Sequence, residues 1–416
     1  MTSLPDAVDW VVKDVTACRL CHEPLPAPYL DLGEQPLANA LVGPASPDNR
    51  QDEARFPLRV CLCPQCSLSQ LTVTVNPDVL YGDYRFRAGT SPLWQEHCQA
   101  LAKQIDQCFG IGTVLDIAAN DGTQLDAFFR RGWLTFGVDV APVDCTLRPY
   151  IEQGLWSERY AKDWKTAHGE ATVVIAQNVL GHVDDPIGFL RGVRHVLAEN
   201  GVAIIEVPHV GELLTRCAFD TIYHEHLSYW SLGPLQRAAR HAGLKVVKVE
   251  HLTTHGGSRR YWLKPGVGRP EIDPSVGEEQ KAEFAAKLWS LDTYEAFAGE
   301  VGSVPGCVVY ELVGRGRIVG WGASAKASVM LNSRESQDGR RARSLVTAII
   351  DETPEKQGFL MPGVHIPIIP PPDDLSDVGV LWVLSWNNEA AIRAKAKARG
   401  FRGQFLITSP TVRLEH

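Results

Sequence analysis

The chain is poor in the features that mark membrane proteins, secreted scaffolds and nucleic-acid binders. No stretch of its 416 residues approaches the roughly 20 consecutive apolar side chains that a spanning helix requires. Its start, MTSLPDAVDWVVKDVTACRL, has no basic segment leading into an apolar run, so no export signal is read there and a cytoplasmic location is expected. Positive charge is in deficit. The 41 Lys and Arg against 49 Asp and Glu leave a formal net charge of -8, the wrong sign for a nucleic acid or an anionic bilayer, so neither partner is expected. Ten cysteines are too few to staple a chain of this length with disulfides. The dinucleotide turn G-x-G-x-x-G is missing, as are short-period repeats and low-complexity tracts.

What remains is an ordinary globular composition, 44% hydrophobic and 22% charged, in a chain too long for one core. Two or three domains are expected. Residues 1–76 are rich in Pro and Cys and carry little apolar material, so this segment needs a staple. Residues 77–265 open with a helical pattern, SPLWQEHCQALAKQIDQCF. Short β-branched runs then alternate with helices: TVLDIAAN, TFGVDVA, ATVVIAQNVL and GVAIIEVP. Such alternation predicts an α/β doubly wound, Rossmann-like sheet, with LKVVKVEHL and SRRYWLK as a closing antiparallel pair. KPGVGRPEIDPSVGEEQ reads as a linker, and EEQKAEFAAKLWSLDTYEAFAGEV as one long helix. Residues 266–416 repeat the strand-helix grammar through RIVGWGAS, LVTAIID, GVHIPIIP, VGVLWVLSW and QFLITSP, which predicts a second, smaller α/β sheet.

Half of the cysteines lie between Cys18 and Cys66. Cys18-Arg-Leu-Cys21 and Cys63-Pro-Gln-Cys66 form two CxxC knuckles, whose four thiolates can close a tetrahedron around a structural zinc. Cys61 and His22 are spare candidate ligands, and free core thiols are the bland alternative.

VLDIAANDGTQL ends a strand and opens a helix, the place where a Rossmann-type sheet receives a nucleoside. Asp116 closes that strand, Asn120 and Asp121 form the turn, and Gly122 permits close backbone approach. Asp139 ends the next strand, where an acid accepts hydrogen bonds from both ribose hydroxyls. Asn178 lies at the end of a third. With no turn suited to a pyrophosphate, the set describes S-adenosylmethionine binding.

Just after GVAIIEVP, the run FDTIYHEHLSYWSL gathers Tyr223, His224, Glu225, His226 and Tyr229 at the carboxyl edge of the sheet, and His182 in QNVLGH projects from the same edge. This density of titratable groups beside a cofactor turn favours general acid-base work over an idle loop. In the last segment, RIVGWGASAKAS again follows a strand with a helix, so Ser324 and Lys326 can hold a diphosphate. Asp351 is available to a ribose or base edge, or as a helix cap. Arg260 can reach a phosphate, or stand solvated.

The CxxC pair, ANDG, NVLGHVDDP, YHEH, HGGSRR and WGASAK occur in the order and spacing of the nucleotide-sugar C-methyltransferases, and the chain resembles that family over essentially its whole length. The resemblance implies a zinc-binding N-terminal domain, a central methyltransferase sheet and a C-terminal α/β domain that helps to hold the nucleotide. It further implies methylation of the carbon next to the ketone, C-3, of a TDP-4-keto-deoxysugar in antibiotic pathways. His226 is then the base, Tyr223 and His182 serve the oxyanion or reprotonate the product, and Glu225 orients an imidazole or a sugar substituent. One departure stands out. Where the family reads E-I-G-S-N-D-G, Ala118 replaces the first glycine, and a methyl group is accommodated there at negative φ.

Two other classes fit less well. An NAD-type oxidoreductase would use the strand-GWGAS-helix turn, but the fingerprint is incomplete. A zinc-knuckle binding module on an inactive sheet sits poorly with the negative charge and the YHEH cluster. No oligomeric state is read from the sequence.

Overall fold

The computed structural model describes residues 11–43, 53–81, 89, 91–141, 150–266, 270–333 and 342–416. Near the N-terminus, strands Leu30–Pro36, Arg55–Leu62 and Ser69–Leu71 pair antiparallel, and Ser228–Tyr229 adds a fourth strand from far along the chain. Each knuckle is a tight turn. His22 N–H donates to Cys18 O, Ser67 N–H donates to Cys63 O, and both His22 and Ser67 take positive φ to close the loop.

The central sheet has seven strands, ordered Leu244–Leu252, Ser258–Pro265, Leu197–Pro208, Ala171–Gln177, Thr113–Ile117, Leu134–Asp139, Ile151–Gln153. Ser258–Pro265 runs antiparallel to both its neighbours, the closing pair expected from the sequence, and the pairings from Leu197–Pro208 to Ile151–Gln153 are parallel. Strand alternation divides the apolar residues between two faces. Val114, Val173 and Ile204 face helices Pro92–Cys108 and Thr123–Phe129. Leu115, Val174 and Ile205 face helices Pro186–Val196 and Leu232–His241. Cys18, Cys63 and Cys66 are buried in this second core, so the knuckles pack against the methyltransferase layer.

The second sheet has six strands, ordered Ile368–Ile369, Val346–Ile350, Arg317–Trp321, Val378–Val383, Gln404–Ile407, Arg413–Glu415, parallel except for the last. The expected linker and long helix are rearranged. Pro274 starts a helix with Asp273 as its cap, and Pro274–Ala285 stops before Lys287 at φ 51. A second helix, Leu291–Leu312, then begins after Ser290. The first of these helices packs on the central sheet through Arg259, which donates to Glu279 at 2.7 Å. The second presents Tyr294, Phe297, Val301, Val304, Val308 and Leu312 along one face, into a core shared by the N-terminal sheet and the C-terminal sheet. The helical pattern SPLWQEHCQALAKQIDQCF forms helix Pro92–Cys108, capped by Ser91, and a short helix, Pro77–Tyr81, lies before it in the chain. No helix among the described residues is long and apolar enough to cross a membrane.

Candidate functional site

The four knuckle sulfurs lie within 4.8 Å of one another, with Cys18 and Cys66 3.5 Å apart and Cys21 and Cys63 3.4 Å apart. A zinc-sulfur bond of about 2.3 Å sets tetrahedral edges of about 3.8 Å, so the tetrad fits zinc with slight expansion and no further protein ligand. Gln70 supports it, donating from Nε2 to Cys18 Sγ at 3.1 Å. Neither spare ligand joins. Cys61 Sγ faces the Gln70 carbonyl at 3.6 Å, and burial pushes its thiol up to about 12. His22 is the left-handed residue that closes its knuckle. In a second cluster, His209, Glu279 and Glu283, the two carboxylates are already engaged by Arg259, His251 and the Leu232 N–H, while His209 Nδ1 has no hydrogen-bond partner.

At the carboxyl edge of the central sheet lies a cavity of about 1480 Å³. Asp116, Asn120, Asp121, Asp139 and Asn178 all line it. Asp139 is set by two backbone donors, Asn120 N–H and Ala141 N–H, each at 2.8 Å. Asp116 is buried, and desolvation with the charges of Asp139 and Asp121 raises its carboxyl well above the usual carboxylate range. Asn178, at φ 56, keeps a buried Oδ1 without a hydrogen-bond partner. An orphaned acceptor, an oriented strand-end acid and a turn lacking the pyrophosphate glycines suit a phosphate-free nucleoside, S-adenosylmethionine. Gly122 is not among the lining residues. At φ 79 it caps helix Thr123–Phe129, and Asp121 braces the same turn by accepting from the Thr123 hydroxyl at 2.6 Å. Ala118 departs from expectation: its φ is +61, so the methyl group sits in the left-handed region that glycine would occupy freely.

The same cavity holds Tyr223, His226, His182 and Tyr229. His226 Nδ1–H donates to the Thr221 carbonyl at 2.7 Å, which leaves Nε2 as the bare acceptor. Its ring centroid lies 4.0 Å from that of Tyr223 and 4.9 Å from that of His182, the latter edge-on. Burial, with His182, His255 and Lys326 nearby, holds its basicity well below the ordinary histidine value. Burial also lowers His182, to about 4.

His224 and Glu225 do not line the cavity. Both turn toward the N-terminal sheet, His224 Nε2 to the Phe56 carbonyl at 3.3 Å and Glu225 to Asn39, whose Nδ2 donates at 2.6 Å. Burial pushes the Glu225 carboxyl up to about 7.

From the second sheet come Ser324, Lys326 and Lys356. Ser324 caps helix Ala325–Leu331, and Lys326 Nζ donates to Asn387 Oδ1 at 3.2 Å while lying 4.2 Å above the Trp386 ring. Trp386 in turn donates to the buried Asp220 at 2.8 Å. Asp351 stays outside the cavity, where its Oδ2 accepts the Ala323 N–H at 2.7 Å and so holds the turn rather than a ribose. Arg260 is removed from any phosphate: it is buried between Glu206 and Glu250 in the central domain.

Several lining residues were not foreseen. Trp94 stacks on His97 at 4.9 Å and meets His255 edge-on at 5.8 Å, and Tyr81 Oη lies 3.0 Å from His182 Nδ1. His255 sits in the HGGSRR motif and could have been singled out there. Tyr81, Asn39 and Trp94 carry no local signal.

Family models match three consecutive stretches: a zinc binding domain at residues 18–81, a methyltransferase domain at 90–249 and a C-methyltransferase C-terminal domain at 253–410. C-methyltransferase NovU of Streptomyces niveus is 30% identical over 420 residues, covering 97% of this chain and 98% of its own. Solved structures resemble part of the chain more distantly. A SAM-dependent methyltransferase from Archaeoglobus fulgidus is 19% identical, covering 38% of this chain and 72% of its own at a TM-score of 0.33. A protein from Pyrococcus horikoshii is 16% identical, covering 43% and 94% at 0.35. With its zinc tetrad, its cofactor edge and a relative matched end to end, the chain belongs to the S-adenosylmethionine-dependent C-methyltransferases built from a zinc-binding domain, a methyltransferase domain and a C-methyltransferase C-terminal domain.

Proposed function

We propose that the substrate is a nucleotide-linked 4-keto-deoxysugar, carried on TDP, methylated at the carbon next to the ketone, C-3, in deoxysugar biosynthesis for an antibiotic. The observation that supports this is the continuity of one cavity from Asp139 at the cofactor edge, past His226, to Ser324 and Lys326 on the second sheet. Asp116, Asp121 and Asp139 line its cofactor end, and Lys326 and Lys356 line the end where a diphosphate would rest.

S-adenosylmethionine supplies an electrophilic methyl group when bound. The protein's own part is to make the sugar carbon nucleophilic. A ketone acidifies its neighbouring C–H by delocalising charge onto oxygen, so a base near that carbon and a donor near that oxygen are needed. His226 is neutral, with its tautomer fixed by Thr221, and Nε2 takes the proton. Tyr223 or His182 donates to the oxyanion. The developing enolate then raises the basicity of the adjacent imidazole, which offsets the low value that burial imposes.

The test is mass spectrometry of reactions with S-adenosylmethionine and TDP-, GDP- and CDP-4-keto-sugars. A gain of one methylene on a TDP sugar is expected. No gain on any of them, from enzyme that binds S-adenosylhomocysteine, would overturn the substrate class. In deuterated buffer with S-adenosylhomocysteine, the acidic hydrogen should exchange, and His226→Ala should slow that exchange roughly 10²–10⁴-fold.

A further inference from the structure

Arg19 lies inside the first knuckle, between two zinc ligands, yet its side chain is only 2% exposed. Burying a guanidinium carries a desolvation cost that only well-placed partners offset. Here Nε donates to Asp184 Oδ1 at 2.9 Å, Nη1 to the Leu71 carbonyl at 2.5 Å, and Nη2 to the Val73 carbonyl at 3.0 Å and Thr74 Oγ1 at 2.8 Å. Thr74 Oγ1 donates to the same Asp184 oxygen at 2.8 Å. The backbone end is equally fixed, since Arg19 N–H donates to Gln70 Oε1 at 3.0 Å and Gln70 Nε2 donates to Cys18 Sγ at 3.1 Å.

Asp184 stands two residues after His182, in the short link between the turn Leu180–His182 and helix Pro186–Val196, and both residues line the cavity. We infer that Arg19 and Asp184 are positioning residues, through which the zinc knuckle fixes His182 against His226. The knuckle anchors one end of the link, Asp185 anchors the other by capping the helix with its carboxylate on the Gly188 N–H, and His182 is left little freedom between them. An interdomain ion pair with no catalytic consequence would need neither the shared Thr74 donor nor a place in this link. The inference rests on His182 belonging to the reacting cluster, and is independent of which sugar the cavity takes.

The test uses the full-length, zinc-loaded protein labelled with ¹³C-histidine, the His182 signal being assigned by its loss in His182→Ala. Asp184→Ala and Arg19→Met should shift that signal, keep the zinc content of the parent and bind S-adenosylhomocysteine within about threefold of it. Asp184→Asn, which retains an oxygen acceptor for Arg19 and Thr74, should restore the signal. With a methylated substrate in hand, Asp184→Ala should lower kcat about 10–100-fold at unchanged KM, and the double variant with His182→Ala should be no slower than His182→Ala alone. An unmoved His182 signal in Asp184→Ala, or losses that multiply in the double variant, overturns the inference. Should Arg19→Met lose zinc, the two Asp184 variants decide, because that carboxylate's side chain is 43% exposed and its hydrogen bonds go to Arg19 and Thr74 rather than to a knuckle cysteine. If no 4-keto-sugar turns over, the proposed substrate fails, while the spectroscopic and zinc measurements still decide this point.

Discussion

Ala118 holds its backbone at φ +61 with a methyl group attached, in the cavity wall between Ile117 and the turn Ala119–Gly122. An L-residue in that region costs about 1–2 kcal/mol, and a glycine gives back part of the gain through its freer unfolded chain. Ala118→Gly should therefore raise the thermal midpoint slightly and keep S-adenosylhomocysteine affinity at or above that of the parent, as thermal scans with and without the ligand would show. A lowered midpoint would mean that the methyl group's packing outweighs the strain.

His226 supports a second expectation at this scale. Its folded value is depressed below the ordinary 6.5 by burial, with His182, His255 and Lys326 adding to it, so acid must go further than usual to protonate it. Methyl transfer limited by this base should stay flat as pH falls from 8 through 6.5, and its acid limb should lie lower still, in a kcat/KM profile. A limb centred above 6.5 would point to a different group. The choice of His226 over His224 was not available from local pattern, because YHEH lies in no regular element and alternation says nothing about which ring meets the cavity. Arg260 was misread for the same reason in reverse. Its strand register sets it opposite Glu206, which claims the guanidinium.

Among the elements, the strands of both sheets apart from the short edge strands Ile151–Gln153 and Arg413–Glu415 were legible, because β-branched runs bounded by Gly and Asp have one stable use between helices. The helix after residue 274 was half legible: its apolar pattern was clear, whereas the break at Lys287 depends on one backbone angle that the pattern passes over. The short strand Ser228–Tyr229 was beyond reach, since its partner Ser69–Leu71 is far away in sequence and two residues give no periodicity. The knuckles were plain, and they separate the cysteines sharply. Cys63→Ser removes one of four zinc ligands from a segment whose own core is small, and apparent binding free energies at such sites run to roughly 10–16 kcal/mol, so it should lose both metal and N-terminal structure. Cys61→Ser touches only the Gln70 carbonyl and should keep the zinc. Elemental analysis and circular dichroism of both variants check this, and equal zinc loss from the two would place Cys61 in the site.

At the scale of the whole molecule, the cavity's lining comes from parts of the chain that the sequence presents as separate. Asn39, Thr74 and Tyr81 of the N-terminal segment, the edge of the central sheet, and Ser324 and Lys326 of the second sheet line one cavity. The helix Leu291–Leu312 joins the outer two through a shared core. Such a cavity can divide its labour only if each wall binds its own ligand. Lys326 offers the clearest case, because its ammonium lies over Trp386, is held by Asn387 and comes from the second sheet, whereas Asp139 ends a strand of the central one. A hydrogen bond from a charged donor is worth about 1.5–3 kcal/mol, or roughly 10–150-fold in affinity. Lys326→Ala should thus weaken TDP binding by about that factor while S-adenosylhomocysteine binding stays within about twofold of the parent, both read by calorimetry on the same preparation. Equal losses for the two ligands would show instead that Lys326 braces the closed cavity as a whole. The buried Asp220, lifted to about 6 by desolvation and lowered in turn by Lys326, would then be the partner through which that bracing reaches the base, since its neighbour Thr221 holds His226.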